Sequence, residues 1–392
     1  MDNVQTENRH LQLLVYGGSG GSGGFVSYCK GLFGSGWVPL NVDTCFVCSP
    51  RLKDELANLD ANVNVVQHSW IGNSSVIKRL IWHLWLYPRL IWKGKFDVEF
   101  YPSGMLPLFR RIFPGKAVLT TTCHNLLPFD LKQIEEYRSC TDYKGLPKIL
   151  KLLKFFFKRA AGVIFLSEYS QKMVFGQLKI TPKSVIIPHG LEDDFRMKRP
   201  RSYVINKSCS LLYVSPILPY KHHDNIIRAV KYIRDIGGYN VHLRLVGGGS
   251  NSSLEQLESM IKMEQLEPYV KVIGKLGRLD LQNELANADI YLFASTIETF
   301  GITLLEGMGF RLPIASSNQT GLDAILRDAG VYFDPEDYIS ISEAIMKLLN
   351  SETLRQTCGE TAFQYSLDFS WQKCSTLTFS FLWSLKKGIA II

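Results

Sequence analysis

The sequence predicts an α/β fold made of two doubly wound domains, each built on a parallel sheet. Short apolar runs alternate with helical patterns from residue 11 to about residue 190, and the same alternation restarts near residue 209. Alternating strands and helices are typical of parallel sheets. The 392 residues suffice for two or three domains. We place an N-terminal domain at residues 1–195, a C-terminal domain at 196–370 and a separate terminal helix at 371–392.

The predicted strands of the first domain are short apolar runs bounded by turn residues. In chain order they are LQLLVYGG, VPLNVDTCFVC, NVNVVQ, FDVEFY, AVLTTTC, GVIFLS and SVIIPHG, with a clear helical pattern at LPKILKLLKFFFKRA. In the second domain the strands are SCSLLYVSP, VHLRLVGGG, VKVIGKL, IYLFAS and PIASS. Amphipathic helices separate them, such as DNIIRAVKYIRDIGG, which ends in glycine. The segment SWQKCSTLTFSFLWSLKKG predicts the terminal helix.

Composition indicates a soluble globular protein with a modest basic excess. Hydrophobic residues make up 46% and charged residues 20%, and the net charge is +8. This charge favours anionic partners without choosing among them. Among the eight cysteines only Cys45 and Cys48 form a C-x-x-C pair, so we interpret the cysteines as reduced core residues. With no signal-peptide pattern and no apolar run of spanning length, we expect a cytoplasmic protein.

A glycine-rich turn follows the first predicted strand. Gly18, Gly20 and Gly23 match G-x-G-x-x-G, and Asp43 stands at the acidic spacing of a dinucleotide fingerprint. The run GGSGGSGG matches such a pattern almost by chance. Three interpretations remain open at this point: a loop facing a phosphate or substrate, a flexible turn, or the cofactor loop of a nicotinamide-dependent oxidoreductase.

The most informative segment is ASTIETFGITLLEGMGF, residues 294–310. A predicted strand ends at Ser295 and a helix begins near Ile302, so free backbone N–H groups gather between Glu298 and Glu306. Such a helix start attracts a diphosphate, and carboxylates accept hydrogen bonds from sugar hydroxyls. The alternative is that Glu298 caps the helix and Glu306 is solvated.

The residues E-T-F-G-I-T-L-L-E in this segment resemble the E-x7-E signature of retaining glycosyltransferases of family 4 (GT4), which have the GT-B fold. The resemblance extends over roughly residues 160–350 and includes YVSPILPYKHHDNIIRAV, LRLVGGGS, VKVIGKL, GFRLPIASS and the hinge-like IIPHGLEDDF. It implies two Rossmann-like domains facing across a cleft that holds the active site. The N-terminal domain would bind the acceptor and the C-terminal domain the donor, and the terminal helix would cross back to the N-terminal domain.

The resemblance also implies roles for individual residues. Lys221 matches the lysine that pairs with the donor diphosphate, and Glu298 matches the glutamate near the donor sugar. Glu306 matches the glutamate that holds the ribose. The family often has an arginine where this chain has Pro216, and Arg278 is a possible substitute.

The remaining residues implied by the resemblance form loops around the donor. His124, after the strand-like AVLTTTC, would face the donor sugar and act with Glu298 and Lys221 in catalysis. The other donor-binding positions belong to three loops: Gly20 and Gly21; Gly274, Lys275 and Leu276; and Phe300, Gly301, Ile302 and Thr303.

The activity implied is transfer of a hexosyl unit, with retention, from a nucleoside-diphosphate sugar to a glycan or lipid-linked acceptor, as in cell-envelope polysaccharide biosynthesis. No D-x-D motif occurs, so we expect neither a metal ion nor another cofactor. Three alternatives remain. They are a nucleotide-sugar epimerase, a non-catalytic subunit that binds a nucleotide sugar or glycan, and a nicotinamide-dependent oxidoreductase.

Two basic stretches suggest a further partner. Residues 76–95 interleave four aromatic side chains with five basic ones, and residues 146–160 also carry five basic side chains. The apolar positions are explained equally by packing against the domain's own sheet and by peripheral docking on the anionic inner face of a membrane. No nucleic-acid-binding motif is present, so we do not expect RNA or DNA as a partner.

Overall fold

The computed structural model describes residues 10–20, 23–34, 36–56, 59–105, 110, 115–137, 143–178, 181–319 and 321–388. The chain divides into two compact units. Unit 1 comprises Met1–Ile134, Arg138–Gly190 and Trp371–Ile392, and unit 2 comprises Glu135–Tyr137 and Leu191–Ser370.

Unit 1 contains a seven-stranded parallel sheet. Its strands are β1 (Leu11–Gly18), β2 (Val42–Cys48), β3 (Val63–Gln67), β4 (Val98–Tyr101), β5 (Val118–Thr122), β6 (Gly162–Phe165) and β7 (Lys183–Ile186), in the order β3-β2-β1-β4-β5-β6-β7. The described helices of unit 1 are Gly23–Phe33, Pro50–Glu55, Val76–Ile81, Tyr87–Gly94, Leu131–Glu136, Leu146–Arg159, Glu168–Phe175 and Trp371–Lys387. The helix Leu131–Glu136 extends into unit 2. A π-helical turn at Trp82–Leu86 joins the helix Val76–Ile81 to the helix Tyr87–Gly94.

Unit 2 contains a six-stranded parallel sheet. Its strands are β8 (Cys209–Val214), β9 (Val241–Val246), β10 (Val270–Gly274), β11 (Ile290–Phe293), β12 (Ile314–Ser317) and β13 (Gly330–Phe333), in the order β10-β9-β8-β11-β12-β13. Its helices in the described ranges are His223–Asp235, Asn251–Met263, Arg278–Asn287, Ile302–Gly309, Asp323–Leu326, Tyr338–Asn350 and Glu352–Ser366. The predicted pair of doubly wound parallel sheets is confirmed.

The apolar runs form strands because helices cover both faces of each sheet and bury most residues of its central strands, whereas the edge strands are only partly buried. In β11, for example, all four residues are buried. The order in which successive strands are added reverses at one place in each sheet. The switch lies between β1 and β4 in unit 1 and between β8 and β11 in unit 2. Ligands of doubly wound folds bind at the carboxyl edge beside such a switch point.

The helix Trp371–Lys387 packs on the first helix of unit 1. The Ser375 hydroxyl donates to the Leu32 carbonyl at 3.3 Å and to the Trp37 carbonyl at 3.0 Å. A Cβ added at Gly31 would lie 2.0 Å from the Trp371 ring, so the close approach of the two helices requires glycine at this position. The seven described cysteines form no disulfide. No helix in the described part of the chain is long and apolar enough to cross a bilayer.

One buried ion pair stands out in unit 1. The side chains of Glu99 and Arg110 are 0% and 1% exposed, and the Arg110 Nε–H donates to Glu99 Oε2 at 2.7 Å. The Tyr101 hydroxyl donates to the same oxygen at 2.6 Å, and Tyr87 lies 2.9 Å from that hydroxyl. The hydrogen bond between Tyr101 and Tyr87 links this pair and β4 to the helix Tyr87–Gly94.

Replacing Arg110 by alanine is expected to lower the free energy of unfolding by about 3–5 kcal/mol, because it leaves the Glu99 carboxylate buried without its cation. Urea denaturation of the variant measures this change. The matched control is Arg51→Ala, which breaks the exposed pair of Arg51 and Glu55 and should change stability little. Equal losses in the two variants would contradict a structural role for the buried pair.

Candidate active site

The predicted site residues of unit 2 follow the carboxyl ends of three parallel strands. Lys221 lies in a short 3-10 turn after β8, Gly274 ends β10, and Glu298 lies in the loop between β11 and the helix Ile302–Gly309. Strands β8 and β11 are neighbours in the sheet and flank its switch point. Lys221 and Glu298 therefore meet at the edge where a ligand is expected.

Lys221 and Glu298 form a buried ion pair. The Lys221 ammonium contacts Glu298 Oε1, and the two side chains are only 8% and 16% exposed. The ammonium also lies 5.0 Å from the ring centre of Tyr220 and 5.7 Å from that of Phe293, within the range of cation–π attraction. Lys221 has three N–H donors, so it can keep Glu298 and still bind a phosphate oxygen.

The helix Ile302–Gly309 begins without a side-chain cap among the described residues. Its N-cap is Gly301 in the left-handed conformation, with φ of +81°, and an added Cβ would come within 2.8 Å of Leu322. Within the described ranges, the backbone N–H groups of Ile302 and Thr303 donate to no protein group. These two amides and the helix dipole form a positive end suited to a diphosphate.

Glu306 lies one turn into this helix and is only partly accessible to water. The residue is half-buried, and its Oε2 atom is inaccessible to water and has no hydrogen-bond partner in the described structure. Desolvation raises the pKa of Glu306 to about 8, with a smaller contribution from the carboxylate of Glu192. The interpretation in which Glu298 caps the helix and Glu306 is fully solvated is therefore wrong, because Glu298 pairs with Lys221 and one carboxyl oxygen of Glu306 is shielded from water.

Arg278, which the sequence suggested as a substitute for an arginine at Pro216, is already bound by carboxylates. Its guanidinium contacts Glu192 and Asp194, with the Nε–H donating to Asp194 Oδ2 at 2.7 Å. Pro216 itself is exposed. The acidic residues lie in the segment IIPHGLEDDF, which sequence reasoning singled out as a hinge and not as a partner of Arg278.

The loop Gly274–Leu276 lies at the same carboxyl edge. Gly274 has φ of +81°, and its carbonyl accepts a hydrogen bond from the Gly247 N–H at 2.9 Å. Lys275 is exposed and Leu276 is half-buried. Backbone contacts therefore fix the start of this loop, and the side chains remain accessible.

In unit 1, Gly20 and His124 also follow carboxyl ends of strands. Gly20 lies after β1 with φ of +87°, and His124 lies two residues after β5. Gly21 falls outside the described residues. The His124 ring meets the edge of Tyr28 at a centroid distance of 4.5 Å and lies 5.3 Å from the His189 ring. Burial lowers the pKa of His124 to about 3, so the imidazole is neutral and suited to hydrogen bonding a hydroxyl.

Sequence reasoning missed the residues that position Lys221. The Tyr213 hydroxyl donates to the Lys221 carbonyl at 2.9 Å, and the Thr296 N–H donates to the Tyr220 carbonyl at 3.0 Å. These bonds tie the turn after β8 to the loop after β11. A polar residue inside the apolar run LLYV was the only available signal.

Two family models match consecutive parts of the chain. The model for glycosyl transferases group 1 matches residues 196–365, and the model for glycosyltransferase family 4 matches residues 38–195. The chain belongs to the GT4-type glycosyltransferases. The predicted family is thus confirmed.

Curated relatives of this GT4-type chain carry glycosyltransferase names. An uncharacterized glycosyltransferase of Methanocaldococcus jannaschii is 25% identical over 56% of this chain and 60% of its own length. O-antigen chain mannosyltransferase B of Escherichia coli is 28% identical over 43% of this chain and 44% of its own length. The capsular polysaccharide biosynthesis glycosyltransferase CapM of Staphylococcus aureus is 26% identical over 48% of this chain and 51% of its own length. The chain thus spans about half the length of these relatives.

Solved structures of similar fold cover nearly the whole chain. HepE of Anabaena, crystallised in complex with UDP and glucose, has a TM-score of 0.72 at 17% identity, covering 96% of this chain and 100% of its own. A glycosyltransferase of Rickettsia africae has a TM-score of 0.70 at 16% identity, covering 97% and 100%. At this identity the comparison shows the fold, which is the GT-B fold with two Rossmann-like domains.

Proposed function

We propose that this GT4-type protein transfers a hexosyl unit from a nucleoside-diphosphate sugar to a hydroxyl group of a glycan or lipid-linked acceptor, with retention of anomeric configuration. The observation that carries the proposal is the uncapped helix start at Ile302. Along the chain, the amides of Ile302 and Thr303, which have no partner among the described residues, stand between Glu298, paired with Lys221, and the partly buried Glu306. This arrangement offers positive potential for a diphosphate and acceptor oxygens for sugar hydroxyls.

The donor would lie across the carboxyl edge of unit 2. Its diphosphate would bind the backbone of Phe300, Gly301, Ile302 and Thr303, with Lys221 balancing the phosphate charge. Glu298 would accept from hydroxyls of the donor sugar and Glu306 from the ribose. Gly274, Lys275 and Leu276 would contact the base, and Gly20, Gly21 and the neutral His124 of unit 1 would contact the sugar and diphosphate.

The chemistry we propose is a front-face displacement. The bond between the anomeric carbon and the leaving phosphate oxygen breaks while the acceptor oxygen bonds to the same face of the carbon. The acceptor's proton passes to the leaving phosphate. Lys221 and the helix amides stabilise the charge that develops on that phosphate, so the protein acts by positioning and electrostatics. The step needs no metal ion.

The names of similar proteins agree with this proposal. HepE was crystallised with UDP and glucose, and also with UDP-glucose. O-antigen chain mannosyltransferase B and CapM are named for O-antigen and capsular polysaccharide. We therefore propose a surface glycan as the product class.

Screening nucleotide sugars by thermal shift, followed by turnover assays on those that bind, tests the function. At least one donor is expected to raise the melting temperature by linkage. Nucleoside diphosphate should then be released together with a glycoside product whose anomeric proton shows the donor's configuration. An inverted product would overturn the retaining mechanism. Free nucleotide and an altered sugar without any acceptor would point to an epimerase.

A further inference from the structure

A face of unit 1 exposes apolar side chains that its own core does not use. In the helical segment 76–94, six large apolar residues are 40–69% exposed: Val76, Ile77, Leu80, Ile81, Leu84 and Trp85. We call these six residues the exposed apolar face. Their three- and four-residue spacing from position 77 to position 84 is that of one helical face. Contiguous exposed apolar surface of this kind is a mark of an interaction site.

The same segment packs on the sheet through other residues. Trp82 and Tyr87 are 3% and 0% exposed, and Ile91 is 9% exposed. The five-residue π-helical turn at Trp82–Leu86 turns Trp82 inward and leaves Trp85 outward. Core packing therefore explains the inward residues alone, and the exposed apolar face lacks such an explanation.

The charged residues of this segment are all basic. Lys78, Arg79, Arg89, Lys93 and Lys95 are exposed, and no acidic residue occurs between Asp60 and Asp97. The Arg89 guanidinium lies 4.5 Å from the ring centre of Trp85, so charge and apolar surface adjoin directly. An apolar face with a cationic rim complements the interface of an anionic bilayer, where aromatic rings enter the headgroup region and lysines meet lipid phosphates.

A second basic helix packs on the same residue of β4 as this segment does. Tyr101 of β4 bonds to Tyr87 at 2.9 Å and packs edge-on against Phe156 of the helix Leu146–Arg159 at a ring distance of 5.6 Å. That helix exposes Phe155 and four basic side chains, Lys148, Lys151, Lys158 and Arg159. It contains no acidic residue and adds to the positive potential of the same unit.

The exposed apolar face lies near the strand ends of unit 1 that carry predicted site residues. Trp82 donates from Nε1 to the Tyr16 hydroxyl at 3.2 Å and stacks on His68 at a ring distance of 4.7 Å. Tyr16 is near the carboxyl end of β1, and His68 follows β3 directly. The exposed apolar face is thus held beside the carboxyl edge of the seven-stranded sheet of unit 1 (sheet 1), after which Gly20 lies.

We propose that the exposed apolar face and its basic rim dock this protein onto an anionic lipid surface, with the carboxyl edge of sheet 1 next to the bilayer. In this position the carboxyl edge of sheet 1 would be accessible to an acceptor carried on a lipid. The docking does not depend on glycosyl transfer, so a protein without that activity would still bind lipid.

Vesicle flotation of the full chain without donor tests the docking. The expected result is binding to vesicles of phosphatidylcholine with 30% phosphatidylglycerol, chosen as about one anionic lipid in three, and weak binding to pure phosphatidylcholine. The charge-reversal variant Lys78→Glu/Lys93→Glu should bind more than about 30-fold more weakly, because each basic residue near the surface contributes a factor of about five and the two glutamates add repulsion. Its control, Lys207→Glu/Lys262→Glu, changes the net charge equally at exposed positions of unit 2.

A second pair of variants tests the apolar contribution. Ile77→Ser/Trp85→Ser should lower the partition by more than about 10-fold, since apolar side chains that leave water contribute at least that much. Ile236→Ser/Leu279→Ser is the control at positions that are 69% and 73% exposed in unit 2. Equal binding to neutral vesicles, equal loss in the control variants, or no vesicle binding would overturn the proposal. A dimer in sedimentation velocity that Ile77→Ser/Trp85→Ser dissociates would assign the face to a second copy of this chain instead.

Discussion

Replacing Glu298 by glutamine is expected to lower kcat for glycosyl transfer by about 100- to 1000-fold, the range seen when one preorganised charge-stabilising group is removed. Glutamine keeps the size of the side chain but loses the carboxylate that holds Lys221 and that, in the proposed function, accepts from sugar hydroxyls. Steady-state release of nucleoside diphosphate measures the change. Glu258→Gln, at an exposed glutamate of unit 2, is the matched control and should retain full activity.

The Lys221–Glu298 ion pair allows a loss of turnover to be distinguished from a loss of stability. Removing either partner leaves the other as a buried uncompensated charge, so Glu298→Gln and Lys221→Met should each lower the melting temperature. The double variant leaves neither charge behind, and it should recover stability without recovering turnover. Recovery of turnover together with stability would mean that the pair serves only the fold.

Replacing Glu306 by glutamine is expected to stabilise the protein and weaken donor binding at once. Its pKa in the folded protein, about 8, exceeds the ordinary value of 4.5. Between pH 4.5 and 8 the folded state therefore keeps a proton on Glu306 that the unfolded chain has already released. Stability therefore falls as pH rises from 4.5 to 8, by an amount on the order of a few kcal/mol. Glutamine cannot ionise, so the variant escapes this loss.

Melting temperatures at pH 5 and pH 8.5 test this prediction. The gain in Glu306→Gln should be small at pH 5 and several degrees at pH 8.5. Donor affinity at pH 8.5, where the Glu306 carboxyl is mostly ionised, should fall at least about tenfold, because the variant lacks the charged acceptor that the proposed function assigns to the ribose hydroxyls. Glu343→Gln, an exposed glutamate in the helix Tyr338–Asn350, should change neither quantity. A variant that is less stable at pH 8.5 than the parent would contradict the raised pKa of Glu306.

Local sequence signals predicted much of the fold. The strands β8 to β12 coincide with apolar runs because both faces of a parallel strand are buried, which leaves a pattern readable over four to six residues. The helix start at Ile302 was also predictable, because Gly301 and the change from strand to helical period mark it directly.

Long-range contacts were not predictable in the same way. Lys221 and Glu298 are 77 residues apart in sequence, and only the adjacency of β8 and β11 brings them together. The burial of Glu306 Oε2 likewise depends on the packing around the helix. A glutamate in an amphipathic helix has the same sequence pattern whether or not it is solvated.

The aromatic stretch shows a further limit of helical periodicity. The sequence offered core packing and membrane docking as alternatives for all of its aromatic residues. The structure divides them, with Trp82 and Tyr87 inward and Trp85 outward. The division depends on a π-helical turn, whose extra residue shifts the phase of the pattern and leaves no signature in composition.

Calorimetric titration of nucleoside diphosphates into the wild-type protein and Lys221→Met, side by side, tests the central claim most directly. The account predicts that the wild-type protein binds at least one of UDP, GDP, ADP or dTDP, and that Lys221→Met binds it at least about tenfold more weakly, since a charge-assisted phosphate contact is lost. Equal affinities in the two proteins, or no heat of binding for any of the four nucleotides, would contradict a diphosphate site at the start of the helix Ile302–Gly309.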